Sequence, residues 1–133
     1  MNLDIANLTN TRFDESFLKK VAKKTLSLLK LKFPELSVVL VCDARMRSLN
    51  RKYGKKDRIT DVLSFDYGEI IICLPQAKRQ AKELENSLKD ELATLLIHGI
   101  LHLAGFEDRT KKDCDKMFKI QKELWQKVTS SSV

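Results

Sequence analysis

His98 and His102 are the only two histidines in the chain, and they stand four residues apart in a segment that reads as a helix. Four residues make about one helical turn, so both imidazoles leave the same face and can close on one cation. Gly105 follows three residues later. A glycine there lets the helix end in a left-handed conformation and the chain double back. The returning segment carries Asp108, whose carboxylate can complete a three-ligand set. Three protein ligands of this type suit one zinc-type ion per chain and leave a coordination position open for water, as metal-assisted hydrolysis requires. A lone histidine on an apolar face is better read as a satisfied core residue. The pair, with its glycine and carboxylate, is read as a metal site held by His98, His102 and Asp108. Glu91, two turns before His98, is either a carboxylate that orients a ligand or, more plainly, a solvated, helix-stabilising glutamate.

A second constellation is cationic. Arg45, Arg47, Arg51, Lys52, Lys55, Lys56 and Arg58 crowd one stretch against a single acid, Asp57, with Tyr53 available for stacking. Such a density of donors suits a phosphate backbone, although a charge run can also be a solvated helix face. The whole chain carries a net charge of +7, which attracts polyanions without separating RNA from DNA or from an acidic protein.

These residues need elements to hold them. At 133 residues the chain fits a single domain, 1–133, with a frayed polar tail over 129–133. Residues 2–8 suit a short strand. Residues 14–32 have the periodicity of an amphipathic helix, with Pro34 beyond it. The run Leu36 to Cys42 is β-branched and near-continuously apolar, the pattern of a buried strand. Asp43 is a good N-cap for a second helix carrying Met46, Leu49 and Tyr53, with Gly54 as the residue that closes it. Residues 61–65 and 69–73 form a hairpin through Asp66-Tyr67-Gly68. A helical pattern follows Pro75, then the apolar helix with the histidines, then an amphipathic helix over 110–128 with Met117, Ile120, Leu124 and Trp125 inward. The resulting class is α+β, an α/β-type sandwich: a small mixed sheet of about four strands, about five helices, and the metal site on a core helix.

Cys42, Cys73 and Cys114 are too scattered for a cysteine metal motif. Cys42 and Cys73 read as core residues, Cys114 as a free thiol with metal ligation as its lesser alternative. No stretch approaches the roughly 20 apolar residues of a membrane span, and the N-terminus lacks the pattern of a signal peptide. A cytoplasmic location with no membrane partner is the expectation, and the oligomeric state stays open.

Leu49-Asn50, Tyr53, Asp57, Thr60 to Phe65, Gly68-Glu69-Ile70 and the block from His98 to Asp108 resemble, in order, the motifs of the YbeY family of bacterial metal-dependent endoribonucleases. The resemblance implies a small sheet packed with helices, one zinc ion on the histidine helix, and cleavage of single-stranded RNA. It further implies maturation of the 16S ribosomal RNA 3′ end and ribosome quality control, with ribosomal RNA or the small ribosomal subunit as partner. Two positions depart from the family pattern. Asp108 stands where the family has a third histidine, and Gly54 stands where it has an arginine after the tyrosine. That arginine would stabilise charge developing on a phosphodiester; Arg51, Lys55 and Arg58 are the candidate substitutes.

Three functions compete on these residues. The first is a metal-dependent RNA hydrolase. The second is a metalloprotease, because the ligand spacing also fits metzincins; their general-base glutamate would follow the first histidine, where this chain has Gly99. The third is a non-catalytic, metal-stabilised RNA-binding or ribosome-assembly factor, kept open by the missing arginine.

Overall fold

The computed structural model describes residues 2–54 and 56–130. Its order is β1 (Asn2–Asn7), α1 (Glu15–Leu28), β2 (Glu35–Val41), α2 (Asp43–Leu49), a π-helical turn (Asn50–Gly54), β3 (Val62–Phe65), β4 (Glu69–Cys73), α3 (Leu74–Glu83), α4 (Leu88–Leu103) and α5 (Lys111–Thr129). The four strands form one sheet in the order β1-β2-β4-β3. β1 and β4 both run parallel to β2, and β3 is antiparallel to β4 through the expected hairpin. The α+β expectation of four strands and five helices holds.

Alternation along the central strands divides the interior in two. Leu36, Val38 and Leu40 of β2, with Ile70 and Ile72 of β4, face the large core made with α1, α3, α4 and α5. Val41, Ile71 and Cys73 face the other way, onto Met46 of α2. α4 is buried nearly all round and crosses the large core. Side-chain caps start the helices that matter for the site: Ser87 accepts from the Asp90 amide for α4, and Thr110 accepts from the Asp113 amide for α5.

Several local expectations are corrected. α1 stops at Leu28, before Pro34 is reached, because Lys30 takes a left-handed conformation at φ 55°. Cys42, not Asp43, is the N-cap of α2; the Asp43 carboxylate instead accepts two hydrogen bonds from Arg79, which holds it below its ordinary pKa. Regular α2 ends at Leu49, so Tyr53 sits on the π-helical turn and is exposed rather than packed. Cys73 is buried as expected, whereas Cys42 is exposed. Thr129 belongs to α5, and residues 131–133 of the expected frayed tail lie outside the described residues.

Candidate metal centre

α4 ends in a Schellman arrangement. Gly105, at φ 95°, donates its amide to the His102 carbonyl, and the Phe106 amide reaches back to the Leu101 carbonyl. Only a residue free of Cβ strain takes that conformation cheaply, so the glycine turns the chain under the last helical turn. The turn brings Asp108 to the histidines: ligand atoms of His98, His102 and Asp108 all lie within 4.8 Å of one another. The two Nε2 atoms are 3.0 Å apart, and Asp108 Oδ2 is 3.7 Å from that of His102.

The protonation pattern follows from the partners of the two remaining ring nitrogens. Nδ1 of His102 lies 3.1 Å from the Phe106 carbonyl, and Nδ1 of His98 lies 2.8 Å from the Gln121 amide oxygen. A carbonyl oxygen only accepts, so each Nδ1 carries the proton and each Nε2 presents a lone pair. Burial, and next the neighbouring His98, hold His102 below its ordinary pKa, which keeps its ring neutral. The approach of Asp108 is therefore a spacing of ligand atoms rather than an ion pair. Two facing lone pairs and a carboxylate repel one another until a cation lies among them. On that ground the donor set fits a metal ion.

The centre opens into a cleft of ≈ 530 Å³. One wall is the edge strand and its flanks, including Asp61, Ser64 and Asp66; the other is the end of α4 and the loop through Arg109. Ser64 Oγ donates to the Gly99 carbonyl at 3.1 Å, tying the walls together. A Cβ on Gly99 would come within 2.9 Å of the Ile70 side chain and 3.1 Å of Ser64 Oγ. A protease-type glutamate has no room there, which removes the general base of the peptidase reading.

The cationic stretch contributes no described residue to the lining of this cleft. Arg47 binds Asp57 at 2.9 Å, and Arg51 approaches the same carboxylate at 3.9 Å. Arg45, Arg47, Arg51, Lys52, Lys56 and Arg58 are all exposed, and none lines the cleft. Lys55 lies outside the described residues. Among the described residues, Arg109 is the cation on the cleft wall. Gly54 lacks the positive φ of a helix-closing glycine; a Cβ there would instead run into the side-chain amide oxygen of Asn50. Asn50 is buried and donates to the Arg58 carbonyl.

Sequence reasoning missed two residues of the centre. Gln121, from α5, holds His98 in the place proposed for Glu91; Glu91 is buried and accepts a hydrogen bond from Gln80 at 2.9 Å. The signal for Gln121 is a polar residue among the inward positions Met117, Ile120 and Leu124 of α5. Arg109 gave no signal beyond its place next to Asp108. Cys114 donates to the Asp108 backbone carbonyl and is not part of the ligand group. No helix among the described residues is long and apolar enough to cross a membrane.

The chain matches known proteins over most of its length. The family model for Endoribonuclease YbeY matches residues 4–129. The Endoribonuclease YbeY of Sulfurihydrogenibium sp. (strain YO3AOP1) is 39% identical over 127 residues, covering 86% of this chain and 84% of that protein. The Endoribonuclease YbeY of Aquifex aeolicus (strain VF5) is 37% identical over 128 residues, 89% of this chain and 85% of that protein. The solution structure of TM1509 from Thermotoga maritima aligns with a TM-score of 0.68 at 30% identity, over 95% of this chain and 88% of that one. A histidine pair turned by Gly105 onto a carboxylate, on this four-stranded fold, is thus found in a chain that belongs to the YbeY endoribonuclease family.

Proposed function

We propose that the chain is a zinc-dependent endoribonuclease acting on single-stranded RNA, with the 3′ end of small-subunit ribosomal RNA as its target and ribosome maturation as its setting. The observation that carries this reading is the pair of facing Nε2 lone pairs beside Asp108, at the head of an open cleft. A zinc-type ion held by His98, His102 and Asp108 would supply Lewis-acid polarisation of a phosphoryl oxygen and acidify water near neutral pH. Gln121 and the Phe106 carbonyl keep both Nε2 atoms available by holding the protons on Nδ1. Arg109, which lines the cleft, meets negative charge developing on the phosphodiester. That stretch, with the net charge of +7, attracts the phosphate backbone from outside the cleft.

Gly54 favours a second reading, a metal-stabilised RNA-binding factor without catalysis, because the position of the family arginine has no side chain. One experiment separates the two. Wild-type protein and a His98→Ala/His102→Ala variant, purified in parallel, are incubated with single-stranded RNA before and after chelation and zinc repletion. The nuclease reading expects cleavage by wild type only, abolished by chelator and restored by zinc. RNA binding without cleavage in the repleted wild type would establish the second reading instead.

A further inference from the structure

On the far side of the cleft's edge strand three aromatic rings are joined, two exposed tyrosines meeting a half-buried phenylalanine. Residues alternate in direction along a strand. Ser64 therefore reaches the cleft and α4, while Phe65 packs towards the smaller core beside Met46. The Tyr53 ring meets Phe65 edge-on, with centroids 5.4 Å apart and an interplanar angle of 82°. Tyr67 stacks on Phe65, at 5.8 Å and 21°. Tyr53 is 53% and Tyr67 70% exposed. Single exposed aromatics need no explanation, but a joined row of them does.

Two features define what the row would bind. Tyr67 is pinned: its hydroxyl donates to Glu69 Oε1 at 2.6 Å. The same contact pushes the phenol up to about 12. Cations border Tyr53, where Lys52 Nζ lies 5.2 Å from its centroid and Arg51 is on the same turn. A planar apolar face beside exposed positive charge complements a molecule that joins flat rings to phosphates. An acidic peptide would use the charges but leave the tyrosine faces unmatched.

We propose that Tyr53 and Tyr67, backed by Phe65, form a stacking platform for unpaired nucleobases of the RNA substrate. This inference rests on the RNA reading above. A strand stacked there reaches the cleft by crossing the edge of β3, with Phe65 on one face of that strand and Ser64 on the other. Bases paired in a duplex present no free face, so the platform selects single-stranded substrate before any bond is cut.

The test compares a short single-stranded oligoribonucleotide with an abasic strand of equal length and charge. Binding to the full chain is followed by fluorescence anisotropy, and strand integrity is checked after each titration. Wild type should bind the base-bearing strand more tightly. Tyr67→Ala and Tyr53→Ala should each reduce that affinity by about fivefold to a hundredfold, leaving abasic binding and its salt dependence unchanged. Tyr67→Phe keeps the ring and should retain most of the affinity. Circular dichroism melts report whether each variant folds. Equal wild-type affinity for the two strands, or folded alanine variants with unchanged preference, would overturn the platform and leave the RNA reading standing. Binding to neither strand would overturn both.

Discussion

Gln121→Leu should weaken zinc binding by about ten- to a hundredfold, equivalent to about 1.4–2.7 kcal/mol, without unfolding the chain. The magnitude follows from the fate of one proton. In the native centre the Gln121 oxygen, 2.8 Å from Nδ1 of His98, holds the proton there. Leucine removes the acceptor and leaves two outcomes. If the proton stays, a part-buried N–H loses its partner, at a cost of about 1–3 kcal/mol for a fully buried group and less here. If it moves to Nε2, it points at the His102 nitrogen 3.0 Å away and must be displaced before that atom can bind a metal. Gln121→Glu works in the opposite sense: a carboxylate accepts the same bond more strongly, makes the ring more basic and tightens binding. Competition against a chromophoric chelator measures the affinities, and the melting temperature of the metal-free proteins verifies folding. A folded Gln121→Leu variant whose zinc affinity lies within twofold of wild type would refute the reasoning, making the contact mere packing.

Three further predictions concern the cleft and its surroundings. Arg109→Gln should slow single-turnover RNA cleavage by about tenfold or more at unchanged metal occupancy, whereas Arg58→Gln should leave the rate within about twofold; equal effects would deny Arg109 its role. Gly54→Arg should lower the melting temperature, because Asn50 must give way and release the Arg58 carbonyl, at a cost of about 1–2 kcal/mol. If the position serves the reaction, the same variant should cleave about tenfold faster; an unchanged rate in folded, metal-loaded protein would show that it does not. Burial pushes the Cys73 thiol up to about 12, while Cys42 and Cys114 are exposed. Two thiols should therefore react with a disulfide reagent near neutral pH and the third only after denaturation, and three native reactive thiols would contradict the packing.

The parts legible in the sequence were those set by local chemistry. The β-branched run of β2, the Asp66-Tyr67-Gly68 hairpin and the histidine helix closed by Gly105 each depend on neighbours within a few residues. What escaped depends on distant partners. The pairing of β1 and β4 on either side of β2 is fixed by packing between segments some thirty residues apart. Asp43 is drawn from capping to Arg79, 36 residues along the chain. Tyr53 leaves the interior because α2 relaxes into a π-helical turn around buried Asn50. α3 and α4 separate at Glu85, a non-glycine residue at φ 56° that carries no sequence signal for such a turn. The centre divides in the same way: three ligands lie in one stretch of eleven residues, and their spacing announces them. Gln121 is 23 residues from His98, and only its polarity on the inward face of α5 marks it.

One ion held where His98, His102 and Asp108 converge is central to the proposed chemistry, and metal analysis of the purified full chain tests it most directly. Inductively coupled plasma mass spectrometry should find about one zinc-type ion per chain after gel filtration. His98→Ala/His102→Ala should lose it and melt at a lower temperature, since an ion bound only by the folded state stabilises that state. Full metal occupancy in a folded double variant would contradict the site.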